Sequence, residues 1–278
     1  MLNALVGEKI ASVSNKPQTT RTRITGIKTI GDTQLVFMDT PGLHKPKNKL
    51  SAHMLNTVTE SVVDIDLLLF MMDCTRQMTS QEEAMLLDCK RRKRPVIVIL
   101  NKIDLLEDKT RLAGMMVGIQ SRFDPASIIP ISVTEQDGVD LVEQEVLSHA
   151  KESPHFFPDE MFTDQPEKVI AAEMVREQLL RMLDDEVPHG IAVMTESMTE
   201  REEQDILDIS VVIYCERESH KGIVIGKKGA MLKRVASAAR TSLEDFFRIR
   251  VNLQCWVKVK EDWRNREGLI HSFGLTED

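Results

Sequence analysis

The sequence has few cysteines and no long hydrophobic run. Its four cysteines, Cys74, Cys89, Cys215 and Cys255, are scattered without a C-x-x-C pair, and the seven histidines form no H-x-x-x-H pattern. Neither a disulfide framework nor a transition-metal site is therefore expected. Every apolar stretch is far shorter than the roughly 20 residues that a membrane-spanning helix needs, and no secretory signal is recognisable. We expect a soluble, cytoplasmic protein.

The sequence also lacks the pattern G-x-x-x-x-G-K-[ST]. That pattern wraps backbone amides around nucleotide phosphates and adds one lysine and one hydroxyl group. The nearest match, from Gly222 to Lys228, is one residue too short between its glycines and ends in Lys where Ser or Thr is required. This glycine segment therefore belongs to a different kind of site.

Acidic residues are scarce in one segment of an otherwise acidic chain. From Glu218 to Lys260 there are ten Lys or Arg and three Asp or Glu, a net charge of +7, whereas the whole chain carries −8 and the remainder −15. Clustered Lys and Arg are what phosphate contacts require. The asymmetry predicts an acidic domain joined to a basic one.

Four short apolar runs alternate with amphipathic segments over roughly the first 150 residues. The runs are residues 35–38, 66–73, 95–100 and 128–131. Such alternation predicts βαβ units and a mostly parallel sheet. Ligands of these sheets bind beyond the carboxyl ends of the strands, so the residues that follow the runs are the candidate site residues.

Two motifs occupy such positions. Asp39, Thr40, Pro41 and Gly42 follow the first run, and Asn101, Lys102, Ile103 and Asp104 follow the third. An Asp after a strand can hold the magnesium of a nucleoside triphosphate, while Asn and Asp on another loop can satisfy a guanine edge and leave adenine unpaired. Either motif alone is a common turn or a chance match. Together, each at a strand end, they predict a GTPase.

Further positions are weaker candidates. Thr20, or failing it Thr19, lies in a polar loop where GTPases keep a threonine that meets magnesium, although a plain surface loop is the alternative. Ser132 and Val133 follow the fourth run, where many GTPases place a guanine-contacting loop. Leu43 stands where Ras-type enzymes carry a glutamine that orients water, which an aliphatic side chain cannot do. Either hydrolysis is slow and assisted by another group, which we favour, or Leu43 is a packing residue.

The second half of the chain begins after a proline-containing stretch, residues 151–159, that reads as a linker. A helix is predicted over 167–185, strands over 190–195 and 208–216, a glycine loop over 222–229, a helix to about residue 247 and a strand over 251–260. The predicted order α-β-β-α-α-β is an α+β module.

The glycine loop is the RNA-binding candidate. Gly226, Lys227, Lys228 and Gly229 form a G-x-x-G sequence inside the basic segment. In KH modules paired glycines let the backbone pass close to RNA, and here the lysines would meet its phosphates. The alternative is a glycine-capped helix junction with a solvated basic face.

These motifs, with the residues PHFFPDE of the linker and LQCWVKVKEDW of the last strand, resemble the Era family of bacterial GTPases over essentially the whole chain. The resemblance implies a Ras-like P-loop NTPase domain followed by a type II KH domain. It also implies GTP or GDP with Mg²⁺ as cofactors, binding to the 3′ region of 16S rRNA, and assistance in assembly of the 30S ribosomal subunit. A monomer with peripheral membrane contact is expected from the same resemblance.

The resemblance assigns roles to residues of this sequence. Asp39 and Thr20 would hold magnesium through the nucleotide, with Thr19 in the same loop, and Gly42 would meet the γ-phosphate. Guanine would be read by Asn101 and Asp104, and Lys102 would pack along the site. The implied domains are residues 1–152 for the GTPase, 153–165 for the linker and 166–278 for the KH domain.

The sequence departs from the family at its start. Family members begin the first helix with G-K-S-T-L-[LM]-N-A-L, whereas Met1 to Leu5 reads MLNAL. We expect the first strand and the phosphate-binding loop to be missing, through a start site assigned at an internal methionine or through truncation. The alternative is a nucleotide-independent KH-domain RNA-binding protein without GTPase activity.

We predict that the 278-residue chain binds GTP weakly. The pattern that it lacks supplies phosphate amides, a lysine and a hydroxyl group, whose charge-assisted bonds are worth roughly 1.5–3 kcal/mol each. Their loss lowers affinity by several orders of magnitude. Isothermal titration calorimetry measures this directly, and micromolar affinity would contradict the prediction.

Overall fold

The computed structural model describes residues 1–43, 46–61, 65–108 and 110–276. These residues divide into two compact units. The first unit contains residues 1–8, 26–37 and 59–162, and the second contains residues 9–25, 38–58 and 163–278. Each unit has its own core and is described by itself.

The helices and strands of the described chain are, in order, α1 (Leu2–Val6), β1 (Ile24–Ile30), β2 (Thr33–Asp39), α2 (Lys49–Ser61), β3 (Leu68–Asp73), α3 (Ser80–Arg91), β4 (Val96–Asn101), α4 (Thr110–Phe123), β5 (Ser127–Ile131), α5 (Val139–Ser148), α6 (Glu167–Met182), β6 (Ile191–Arg201), β7 (Ile206–Cys215), α7 (Glu218–Ile225), α8 (Ala230–Phe247), β8 (Arg250–Val259) and α9 (Glu267–Ser272).

The first unit is built on a parallel sheet of order β3-β4-β5. The central strand β4 is buried along Val96–Leu100, because apolar residues on both of its faces are covered. Strands β1 and β2 pair with each other in a separate two-stranded sheet. The parallel sheet confirms the α/β class predicted from the alternating runs.

One apolar cluster joins the sheet of the first unit to its helices. Branched side chains of β4 and β5 pack against α1 and α5, as the 3.6-residue spacing of α5 requires. Its fully or nearly buried members are Leu5, Leu35, Ile97, Ile99, Ile129, Ile131, Val139, Val142 and Val146.

The second unit contains a three-stranded sheet of order β6-β7-β8. Strand β6 runs antiparallel to β7, with a register shift between Thr195 and Ser197, and β7 runs parallel to β8. Helices α6, α7 and α8 contribute to the main core of this unit. The observed order of α6, β6, β7, α7, α8 and β8 is the α-β-β-α-α-β order predicted from the sequence.

A smaller core in the second unit surrounds Trp263. This side chain is fully buried and packs with Ile270 of α9, Ala192 of β6 and the α2 residues Leu50 and Met54. The indole N–H donates to the carbonyl oxygen of Gly190 at 2.9 Å. A buried indole nitrogen needs such an acceptor, so the ring orientation is fixed.

Several boundaries differ from the sequence-based expectations. Strand β6 extends to Arg201, beyond residue 195, and helix α6 ends at Met182, before residue 185. Residues 149–166, which include the predicted linker, contain neither helix nor strand. No helix within the described ranges has both the length and the apolar character needed to cross a membrane.

Two glycines of the first unit, Gly138 and Gly114, are expected to respond in opposite ways to replacement by alanine. Gly138 has φ 76°, and an added Cβ would lie 2.9 Å from the carbonyl oxygen of Pro130, so Gly138→Ala is expected to cost about 2 kcal/mol or more. A Cβ added to Gly114, inside α4, would meet no atom of the described residues within 4 Å. Gly114→Ala is therefore expected to raise the free energy of unfolding by up to about 1 kcal/mol. Urea denaturation of both variants measures the difference, and equal effects would contradict it.

Candidate functional site

Asn101 is the last residue of β4 and connects two loops at the same edge of the sheet. Its side-chain oxygen accepts hydrogen bonds from the backbone N–H of Lys102 at 2.8 Å and from that of Val133 at 3.1 Å. One loop carries Asp104 and the other carries Ser132. Asn101 therefore fixes the spacing of two predicted guanine-contacting segments.

Lys102 follows β4 in the left-handed conformation, with φ 70°. Its Nζ donates to Asp73 Oδ2 at 2.7 Å, and Asp73 is the last residue of β3. Although burial alone would raise the pKa of Asp73, hydrogen bonds from Lys102 and Thr75 hold it at about 2. Asp73 is thus ionised at neutral pH and anchors the Lys102 stem beside the predicted base site.

Asp104 lies on a short 3₁₀ turn, Ile103–Leu105, and its side chain is exposed. An exposed carboxylate can accept two hydrogen bonds from the N1–H and exocyclic amine of guanine, whereas adenine presents no such pair of donors. The turn and the Asn101 contacts leave this carboxylate accessible. The geometry suits the predicted base reader.

Ser132 begins a tight loop after β5. Its N–H donates to the Asp137 carbonyl at 2.9 Å and its carbonyl accepts from Asp137 N–H at 3.0 Å, while its hydroxyl accepts from Glu135 N–H at 3.2 Å. Ser132 is buried, so its hydroxyl is a loop-forming group. Backbone atoms of Val133 are then the part of this loop suited to meet a base.

Thr20 and Asp39 meet in the second unit. Thr20 Oγ1 donates to Asp39 Oδ2 at 3.2 Å, and Asp39 ends strand β2. Burial raises the pKa of Asp39, an effect that the Thr20 hydrogen bond opposes. Thr19 turns away, because its hydroxyl donates to the Lys16 carbonyl at 2.7 Å. The structure therefore pairs Asp39 with the preferred threonine of the two.

The Thr20–Asp39 pair fits a magnesium ion. Mg²⁺ binds oxygen ligands, characteristically one or two carboxylates together with phosphate oxygens, and the half-buried Asp39 offers a carboxylate beside the Thr20 hydroxyl. Thr40, Pro41, Gly42 and Leu43 follow Asp39 without helix or strand. No described atom lies within 4 Å of a Cβ built on Gly42, which leaves room for a ligand at its backbone.

The G-x-x-G loop between α7 and α8 depends on its first glycine. Gly226 has φ 71°, and an added Cβ would lie 2.7 Å from the Cβ of Met231 and 2.9 Å from its nitrogen. Lys228, φ 53°, and Gly229, φ 79°, are also left-handed, and Gly229 caps α8. This backbone is compact because no side chain is present at residue 226.

Both loop lysines, Lys227 and Lys228, are exposed. They precede the N-terminus of the 18-residue helix α8, whose dipole favours anions at that end. Exposed Lys233 and Arg234 follow on its first turns, so cationic side chains continue beyond the loop. The arrangement is suited to consecutive phosphates of a single-stranded nucleic acid.

Asp73 was not among the site residues predicted from sequence. It closes the run 66–73 just as Asp39 and Asn101 close theirs, so its place at a strand end was the available signal.

Family models match both halves of the chain. A model described as a 50S ribosome-binding GTPase matches residues 1–102, and a model described as a KH domain matches residues 186–264. These matches agree with the α/β first unit and with the α+β module of the second.

Curated relatives match along almost the whole chain. The GTPase Era of Ruminiclostridium cellulolyticum is 47% identical over 274 residues, covering 99% of this chain and 91% of the relative. The GTPase Era of Clostridioides difficile is 43% identical over 277 residues, covering 100% of this chain and 93% of the relative.

Two solved structures have the same fold. Era in complex with MgGDPNP and nucleotides 1506–1542 of 16S ribosomal RNA is 34% identical, with a TM-score of 0.94 over 99% of this chain and 93% of that one. A single-residue variant of Aquifex aeolicus Era bound to GDP·AlF4⁻ is also 34% identical, with a TM-score of 0.95 over 99% of this chain and 94% of that one. The Ras-like and KH fold classes expected from the sequence are confirmed.

Asp104 gives a sharp test of base recognition. Asp104→Asn places an amide donor where guanine offers an amine and xanthine offers a carbonyl, so we expect the XTP-to-GTP affinity ratio to rise by about tenfold or more. Competition against a fluorescent guanine nucleotide measures the ratio even when both affinities are low. Asp124→Asn, an exposed aspartate after α4, is the matched control. An unchanged ratio would remove Asp104 from base recognition.

Proposed function

The chain belongs to the Era family of GTPases, and from this premise we propose that it binds and hydrolyses GTP and binds ribosomal RNA. The RNA that we propose is the 3′ region of 16S rRNA, because the relative of known structure holds nucleotides 1506–1542 of that molecule. The G-x-x-G loop with two exposed lysines is the observation that carries the RNA part.

The guanine part of the proposal rests on one edge of the parallel sheet. Asn101 holds the loops of Asp104 and Val133 in place, and Lys102 is tied to Asp73. We assign base recognition to Asp104 and the backbone at Val133, with Asn101 positioning both. Rejection of adenine follows, because it would leave the Asp104 carboxylate without donors.

The phosphate end is assigned to the Thr20–Asp39 pair and the Gly42 backbone. A bound Mg²⁺ would neutralise charge on the phosphate oxygens of the nucleotide. Asp39 would supply a carboxylate to the ion and Thr20 a hydroxyl oxygen, at the cost of their mutual hydrogen bond. Leu43 cannot orient water, so hydrolysis is expected to be slow unless another group assists.

Narrower proposals follow from the family. We propose that the RNA contact serves assembly of the 30S subunit, that the protein acts as a cytoplasmic monomer, and that it contacts the inner face of the cell membrane peripherally. We also propose a GTPase domain over residues 1–152, a linker over 153–165 and a KH domain over 166–278. Sedimentation with ribosomal subunits and with anionic lipid vesicles tests the two surface contacts separately.

A charge-reversal pair tests the RNA site. Lys227→Asp with Lys228→Asp is expected to lower the affinity for a single-stranded oligonucleotide of the 16S 3′ end by about tenfold or more at low salt. The salt slope should flatten by up to about 0.7 for each lost phosphate contact. Fluorescence anisotropy at two salt concentrations measures both quantities in the full chain.

Lys151→Asp with Lys168→Asp makes the same charge change at exposed lysines outside the basic segment and serves as the control. If the loop variant and the control bind equally, the loop is only a helix junction. Two results together would favour a nucleotide-independent RNA-binding protein: the loop variant loses RNA binding, and the unaltered chain shows no preference for guanine over adenine nucleotides.

A further inference from the structure

Residues 9–25 cross the second unit with little regular structure. Residues 9–23 contain no helix or strand, yet Ile10 and Arg21 are only 2% and 3% exposed. A segment without a backbone ladder must satisfy its polar groups and hold its conformation through other contacts. Here those contacts come from the C-terminal residues of the same unit, and two arginines make the most buried ones.

Arg176, on α6, holds the residue before Thr20. Its Nη2 donates to the carbonyl oxygen of Thr19, and its Nε donates to Glu173 Oε1 at 2.7 Å. Arg176 is 2% exposed. Although burial would raise the pKa of Glu173, the adjacent Arg176 outweighs it and lowers that pKa. Glu173 therefore stays ionised and orients the guanidinium toward Thr19.

Glu173 also contacts an earlier part of the segment 9–25. Ser12 Oγ donates to Glu173 Oε2 at 3.0 Å and lies 3.2 Å from its carbonyl oxygen. Arg181, five residues beyond Arg176 on α6, donates to the Val13 carbonyl at 3.1 Å. The segment is thus fastened to α6 at several points, of which the Thr19 carbonyl is the nearest to Thr20.

Arg21 directly follows Thr20, and its own side chain anchors the chain at that point. Its Nη1 donates to the Ile191 carbonyl at 2.5 Å, its Nη2 donates to the His189 carbonyl at 3.1 Å, and its guanidinium carbon lies 5.8 Å from the Trp263 ring centroid. Burial lowers the pKa of Arg21 to about 9. Backbone carbonyls and an aromatic face compensate the buried cation, and their directions leave the planar group little freedom.

We propose that Arg176 and Arg21 are positioning residues for Thr20, fixing the backbone on either side of it so that its hydroxyl meets Asp39. The C-terminal half of the chain would then supply the geometry of the magnesium-binding pair. This inference rests on the proposed function, in which Thr20 and Asp39 serve the nucleotide. A purely structural role would hold the segment on the protein without affecting how the site distinguishes a triphosphate from a diphosphate.

The first experiment measures order in the segment without any nucleotide. Arg176→Gln is combined with Glu173→Gln, because removing the arginine alone would leave a buried carboxylate unpaired. Hydrogen–deuterium exchange of the peptide covering residues 17–22 is expected to accelerate by about tenfold or more, while peptides of α8 keep their rates. Arg201→Gln with Asp208→Asn removes an exposed ion pair elsewhere in the second unit and is the control.

Arg176→Lys is the milder second variant if the double variant does not fold. It keeps a cation beside Glu173, but a single nitrogen replaces the fork that reaches both Glu173 and Thr19. The same exchange experiment then applies. Exchange of residues 17–22 that matches the control in either folded variant overturns the inference.

The second experiment uses GDPNP and GDP with and without Mg²⁺ on the full chain. In the double variant the magnesium-dependent preference for GDPNP over GDP is expected to fall several-fold, while the preference for guanine over adenine nucleotides is retained, because that depends on Asp104. A GDPNP preference equal to that of the control overturns the inference. Absence of any guanine preference in the unaltered chain refutes the proposed function instead, and the exchange result still decides whether Arg176 positions the segment.

Discussion

Parallel pairing of three buried strands determines where the chemistry of the first unit lies. Asp73 and Asn101 are register partners at the ends of β3 and β4, and Asn101 is in turn the partner of Ile131, which directly precedes Ser132. Because parallel strands finish at one edge, a single asparagine reaches the Val133 backbone and a single lysine reaches Asp73. A shift of register would move Asn101 away from Val133 and Lys102 away from Asp73, and would break both contacts.

Local sequence patterns were sufficient to predict those strands whose buried and exposed faces follow a regular pattern of apolar and polar residues. The short apolar run 95–100, rich in Val and Ile, predicted a buried strand, which the structure has as β4. Alternation over 251–260 predicted a strand with one covered face, which the structure has as β8. The polar residues closing the runs then marked the candidate site. The start of α7 at Glu218 and the short helix α9 were not predicted, because a few residues carry too little periodicity.

The contacts around Thr20 could not be predicted from the sequence for a different reason. Arg176 lies 157 residues from the Thr19 carbonyl that it binds, and Arg21 lies 170 residues from Ile191. Neither contact leaves a pattern of spacing, since each acceptor is a backbone carbonyl that any residue type provides. The arginines stand in a polar loop and on an amphipathic helix, where charged side chains are ordinary. Only burial in the folded chain distinguishes them.

The two tryptophans lie in opposite environments, which has a spectroscopic consequence. Trp256 on β8 is 57% exposed, whereas Trp263 is fully buried and has the Arg21 guanidinium 5.8 Å from its ring centroid. An indole in water emits at longer wavelength than one in a core, so the intrinsic fluorescence of the protein should contain a red and a blue component. The blue component comes from the ring beside Arg21 and packed with α2. The emission of Trp263 therefore reports, without any label, on the segment around Arg21, next to Thr20, and on helix α2, which follows Asp39 in the sequence.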